Sequence, residues 1–150
     1  SIGAYSHFNL KNGKKIPLTC SSSFSPLFCG APDHDMAKKL KNTLIKKFGK
    51  QDYYLCSSFD PEGKKHDQKK YWRGPIWINL NWILYHGLKR YQFEKIAKRI
   101  KNDSLELVDK LGFYEYFNPS KKTSKESNTG YGGENFSWTA ALTIDFLNEK

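Results

Sequence analysis

The sequence predicts an all-α chain built from helix pairs. Apolar residues recur at three- and four-residue spacing in four separate stretches, and each stretch carries a recognisable start or stop residue. No segment alternates apolar and polar residues over a useful strand length, and the aromatic run at 113–117 is too short to build a sheet on. The 150 residues, 38% apolar and 15% aromatic, suffice for one ordinary domain with a filled core.

A short helical piece is expected around 24–30. The first full helix follows Pro32-Asp33-His34-Asp35, places Met36, Leu40, Leu44 and Phe48 on one face, and stops at Gly49. Asp33 or Asp35 suits its N-cap better than a metal cluster. The second begins at Pro75, a favourable first-turn residue, and runs through IWINLNWILYHGL. It is apolar almost all round, which implies burial on most sides. The third carries Phe93, Ile96, Ala97, Ile100, Ser104, Val108 and Leu111 and ends at Gly112; its other face is charged. The fourth starts near Ser137 and continues to the end. Two connections, from Gly49 to Gly74 and from Gly112 to Phe136, are long for a compact helical protein, and loops of that length usually carry function or are disordered.

The net charge is +10, but the basic residues are 22 Lys and 3 Arg, scattered over five separate places. Sequence-reading nucleic-acid proteins favour the planar fork of Arg, so these lysines read as solvated faces and no nucleic-acid partner is expected. No apolar run is long enough for a membrane helix, and no membrane partner is expected. The amino-terminal stretch lacks the order of a signal peptide and has no initiating Met, so the expectation is either that something upstream was removed or that this is a piece of a longer chain. Cys20, Cys29 and Cys56 are odd in number and show no CxxC, which points to free, mostly buried thiols in the reducing cytoplasm. The four histidines are dispersed; no metal and no cofactor is expected.

Chemistry concentrates in three motifs. The first is Tyr71-Trp72-Arg73-Gly74-Pro75-Ile76-Trp77, followed by Asn79 and Asn81. Aromatic faces stack on the C–H faces of sugar rings, while Arg and amides bond hydroxyls or a carboxylate. Trp82 reads as core packing; for Tyr71, Trp72 and Trp77, core packing and sugar stacking both stand. The second motif is Gly112-Phe113-Tyr114-Glu115-Tyr116-Phe117-Asn118-Pro119, a single acid among four rings. Burial against rings raises a carboxylate's basicity, as a hydrolase requires of a general base. The third, Thr129 to Trp138, holds glycines that let the backbone pass close to a ligand or another segment. Its Glu134, ahead of a helix, suits capping.

These three motifs in this order resemble family 63 of the glycoside hydrolases, with the nearest likeness to the mannosylglycerate and glucosylglycerate hydrolases. The resemblance is strong over 71–150 and looser over 1–70. It implies a catalytic domain shaped as an (α/α)6 toroid with its site at the mouth. Glu115 matches the family's general base. Tyr71, Trp72 and Trp77 match aromatic positions that shape the pocket, and Arg73 belongs to the same motif. The family's general acid is an Asp earlier in the barrel, with no counterpart here. A lysine-rich insertion, SKKTSKESN (120–128), departs from the family pattern.

Twelve helices need roughly 400 residues at ordinary helix and loop lengths. The resemblance therefore makes residues 1–150 the C-terminal portion of an (α/α)6 glycosidase domain, four or five helices, with the N-terminal portion absent. The expected activity is inverting hydrolysis of a small α-glycoside such as mannosylglycerate or glucosylglycerate, with this chain supplying the base and part of the sugar pocket. The expected partners are that small carbohydrate and either the missing part of the barrel or a self-associating copy. Alternatives are an α-glucosidase trimming glucose-capped oligosaccharides, and a non-catalytic remnant or binding module of the same fold. The apolar sides of helix 75–88 are expected to lie exposed where neighbours are missing.

Overall fold

A computed structural model describes residues 3–122 and 129–149. Most of the insertion at 120–128 lies outside the described residues. Five helices dominate: α1 (Pro26–Cys29), α2 (His34–Phe48), α3 (Ile78–Arg90), α4 (Glu94–Leu111) and α5 (Ser137–Asn148). The short piece near 24–30 is a 3-10 turn at Ser21–Phe24 running into α1. Asp33 is the N-cap of α2, its carboxylate accepting from the Met36 amide at 2.7 Å. That satisfies one donor the helix start leaves without an intrahelical partner. Ala37, Leu40, Leu44 and Phe48 form the buried face of α2, and Gly49 closes it.

Helix α3 sits at the centre and packs against α1, α4 and α5. Gly87 permits the α1 contact, since a Cβ there would come within 2.9 Å of Leu27 and 2.8 Å of the Phe28 amide. Helix α4 is amphipathic, burying Ile96, Ala97, Ile100, Ser104, Leu107 and Val108, and stops at Gly112 with φ of 90°. Between these helices the fully buried Asn81 ties three segments together. Its side chain accepts from the Cys56 amide (3.1 Å) and donates to the Leu55 carbonyl (3.0 Å) and the Ser104 hydroxyl (2.9 Å).

Two sequence expectations need correction, while the all-α class holds with four very short strands beside the helices. The helix expected from Pro75 starts at Ile78, because Ile76 is extended and exchanges backbone hydrogen bonds with Phe117 in both directions, at 2.8 and 2.9 Å. A helical Ile76 would forfeit both, and a proline's first-turn preference is too weak to prevail. Short strands do form. β1 (His7–Asn9) pairs with β2 (Lys14–Ile16), and β3 (Tyr116–Phe117) with β4 (Gly130–Tyr131), both antiparallel. Finally, the large exposed apolar face is not on α3 but on α5, where Trp138, Ile144 and Leu147 are 53%, 62% and 67% exposed. α3 is covered because α1, α4 and α5 surround it.

The thiols also differ from expectation. All three are free, but only Cys56 is buried; Cys20 is half-buried and Cys29 exposed. Among the described residues no helix is long and apolar enough to cross a membrane.

Candidate active site

The Ile76–Phe117 pairing brings the first and second motifs together, and β4 adds the third by pairing Tyr116 with Tyr131 and Phe117 with Gly130. A small patch of extended backbone thus gathers residues from three loops, the first about 40 positions before the second in sequence and the second about 15 before the third. The Tyr71–Gly74 turn is fixed from below. The Arg73 carbonyl accepts from the Asp67 amide at 2.7 Å, and Gly74 donates to the Ser58 hydroxyl at 3.0 Å. A Cβ on Gly74 would overlap the Asp67 carbonyl, which explains the glycine.

On this frame stands a stack of rings. Trp72 lies on Trp77 (centroids 4.2 Å apart), Trp77 on Tyr116 (5.0 Å) and Tyr116 on Tyr131 (5.4 Å), with interplanar angles of 10°, 21° and 24°. Tyr71 meets Trp72, Trp77 and Tyr116 edge-on, and its carbonyl accepts from the Trp77 indole at 2.9 Å. Such edge and offset contacts contribute about 0.5–1.5 kcal/mol each beyond area burial. The stack separates the three aromatics that sequence left open. Trp77 is 3% exposed, with both ring faces covered, whereas Trp72 and Tyr71 are 50% and 45% exposed.

Glu115 stands beside this stack, half-buried, its carboxylate accepting from the Tyr71 hydroxyl. That hydrogen bond, ahead of partial desolvation, pushes the Tyr71 phenol above its ordinary range, because a phenolate beside a carboxylate is disfavoured. Tyr116 is also raised, by burial first and by the Glu115 charge second. The side chains of Trp77, Asn79, Glu115, Phe136, Trp138 and Thr139 line a narrow crevice with no room for a water molecule. Pockets that bury a drug-sized ligand run to about 300–1,000 Å³, so this crevice encloses no ligand by itself. A larger hollow of about 600 Å³ between α2 and α4 contains none of the motif residues.

The structure therefore brings Tyr71, Trp72, Trp77 and Glu115 together. Arg73 contributes its backbone to the turn, while its guanidinium makes no hydrogen bond or ion pair with the described residues. The third motif lies directly against the second. A Cβ on Gly132 would overlap the Glu115 carboxylate, and one on Gly130 would overlap the Tyr114 ring. The close backbone approach read from those glycines is real, and the segment approached is Tyr114-Glu115. The capping role expected for Glu134 is not. α5 starts at Ser137 without a side-chain cap, and Glu134 accepts instead from the Tyr114 hydroxyl at 2.7 Å. Trp82 packs against the core as expected but also donates from its indole to Asp145 at 2.6 Å. Sequence reasoning included Phe136 and Trp138 in the third motif without giving either a role of its own, and it named no role for Thr139, whose only signal was proximity to the glycine-rich turn. Away from this site, His86, Asp145 and Glu149 place ligand-type atoms within 4.8 Å of one another. The Lys89 ammonium already pairs with Glu149 there, at 2.6 Å.

Residues 1–139 match the mannosylglycerate hydrolase MGH1-like glycoside hydrolase domain. The chain is 38% identical to a mannosylglycerate hydrolase of Thermus thermophilus over 142 residues, 95% of this chain and 32% of that protein. It is 28% identical to a glucosylglycerate hydrolase of Mycolicibacterium hassiacum, over 97% of this chain and 32% of that protein. The structure superposes on that of the family 63 mannosylglycerate hydrolase from Thermus thermophilus in complex with Tris and D-glycerate. The TM-score is 0.86 at 37% identity, covering 98% of this chain and 34% of that one. The chain thus spans about a third of the length of these relatives. Its five helices are part of an (α/α)6 toroid.

Proposed function

Because the chain belongs to the MGH1-like glycoside hydrolases, we propose that the protein carrying it hydrolyses a small α-glycoside of glycerate, bearing mannose or glucose, with inversion. The observation that carries this reading is the Glu115 carboxylate, held by the Tyr71 hydroxyl at the edge of an aromatic stack. In an inverting hydrolysis a base holds water on the face opposite the leaving group and takes its proton as the oxocarbenium-like state forms. Glu115 fits that role, since the rings around it exclude competing water and Gly132 leaves its carboxylate room.

Trp72 and Tyr71 present ring surface to a sugar. Trp77, buried beneath them, sets their position and one wall of the crevice. Arg73, with a guanidinium uncommitted among the described residues, suits the glycerate carboxylate, for which a planar fork is the matched partner. On this reading the general acid comes from outside this chain, and Glu134 is engaged by Tyr114. Residues 1–150 are then the C-terminal part of the catalytic domain. The apolar face of α5 receives the rest of the toroid or a second copy. The free thiols suit a reducing, cytoplasmic setting.

The test uses the protein carrying this chain, given mannosylglycerate, glucosylglycerate and glucose-capped oligosaccharides, with the product anomer followed by proton NMR. The glycerate glycosides are expected to turn over with inversion. Glu115→Gln is expected to keep substrate binding and lower kcat by about 10²–10⁴-fold, the usual contribution of positioned proton transfer. Turnover of the oligosaccharides alone, or a product of retained configuration, refutes the proposal.

A further inference from the structure

Resting on the reading of Glu115 as the base, we propose that Glu134 is a positioning residue for it, acting through the hydroxyl of Tyr114, with Gly132 as the close backbone wall behind the carboxylate. Tyr114 is the residue next to Glu115, so its setting fixes the backbone from which the carboxylate projects. It is clamped at three points, all from the third motif and the start of α5. Its ring lies on Gly130, where any Cβ would overlap it. Its carbonyl accepts from the hydroxyl of Thr139, a buried residue, at 2.7 Å. Its hydroxyl donates to Glu134 at 2.7 Å. One residue earlier, the Phe113 carbonyl accepts from the Phe136 amide at 2.8 Å.

Thr139 and Gly130 fix the near end of Tyr114; Glu134 fixes the far end, across the turn that contains Gly132. On the other side Tyr71 holds the carboxylate itself. The base is therefore gripped between two tyrosines, one bonded to it directly and one bonded to a second acid. That hydrogen bond also raises the Tyr114 phenol above its ordinary range. Glu134 touches no reacting atom in this arrangement; its effect passes through the geometry of residues 114–115. A misplacement of about 1 Å at a reacting group costs on the order of 10²-fold in rate.

The experiment reads the geometry of Glu115 directly, through the ¹³Cζ resonance of Tyr71 at neutral pH, which reports the hydrogen bond of its hydroxyl. The Tyr71 resonance of Glu115→Ala gives the reference for the broken bond. Glu134→Ala and Tyr114→Phe are expected to move the resonance toward that reference while circular dichroism stays native. In the glycosidase assay they are expected to lower kcat about 10- to 100-fold with KM little changed. Glu134→Gln, which still offers an oxygen to Tyr114, restores both. A Tyr71 resonance unmoved by Glu134→Ala and Tyr114→Phe overturns the proposal, even if the melting temperature falls. If the wild-type protein turns over no glycoside, the functional reading fails on its own, and the resonance still decides the positioning.

Discussion

Asn81→Ala should be among the most damaging single changes to the frame beneath the site. Asn81 is fully buried, and its side chain satisfies the amide of Cys56 and the carbonyl of Leu55. Ser104 keeps a bond to the Ile100 carbonyl at 2.7 Å when Asn81 is lost, so the count of orphans is two backbone groups rather than three. Each buried group left without a partner costs about 1–3 kcal/mol, which with a small cavity gives about 3–5 kcal/mol. Natural domains have about 5–15 kcal/mol in total, so this loss is a large share of it. With a urea slope near 2 kcal/mol/M the midpoint falls by about 2 M. Asn81→Leu restores volume without partners and should lose nearly as much. Asn79→Ala, where the side chain bonds only its neighbour's amide at 2.8 Å, should lose less than about 1 kcal/mol. Urea unfolding of all three variants is the measurement. A loss below about 1 kcal/mol for Asn81→Ala would refute the hydrogen-bond argument, and recovery by Asn81→Leu would show that packing governs this position.

Other outcomes follow from named features. Ile144→Glu with Leu147→Glu should reduce self-association, read by sedimentation velocity, because both side chains stand on the exposed face of α5; unchanged association would place the contact elsewhere. Thiol labelling in the native state should reach Cys29 first and Cys56 only on unfolding, since Cys56 is buried and desolvation holds its thiol well above the ordinary range. Early Cys56 labelling would mean that the 54–58 segment opens locally. The Glu149 and Glu106 carboxyls are held below their ordinary 4.5, chiefly by hydrogen bonds from Lys89 and Lys110. A depressed carboxylate stabilises above its unfolded pKa and loses that contribution as pH falls through the folded value. Stability should therefore drop as the solution is acidified below about pH 4.5, and Lys89→Gln should flatten that limb.

The helices were legible because each is specified locally. Asp33 caps α2, Gly112 ends α4, and the spacing of Leu40, Leu44 and Phe48 defines a buried face without reference to any other segment. The errors share one cause, a partner distant in sequence. Pro75 reads as a helix start, and only Phe117, 41 residues on, shows Ile76 to be extended. Glu134 reads as a cap until Tyr114, 20 residues back, takes its carboxylate. Trp77 reads the same whether it packs or binds, and the covering of its two faces by Trp72 and Tyr116 comes only from tertiary structure. The location of the exposed apolar face could not be read either. The α3 and α5 stretches are both rich in apolar residues, and which is central depends on how α1 and α4 pack around α3.

The stereochemical outcome has a different dependence from the placement of the base. Everything that fixes Glu115 lies within these residues: the Tyr71 hydroxyl on one side, Gly132 behind it, and the Ile76–Phe117 pairing beneath. On the reading of Glu115 as the base, its carboxylate is held by contacts within this chain. Inversion needs a second carboxyl about 6.5–9.5 Å away, and retention one at about 5–5.5 Å. A difference of a few ångströms separates the two chemistries, and it is set by how the segment bearing the acid docks against this frame. The crevice beside Glu115 is too tight to hold a sugar. On the proposed reading, then, substrate enclosure and stereochemistry belong to the assembled toroid. The orientation and accessibility of the base belong to this chain, so substitutions here should change the rate while leaving the configuration of the product as it is.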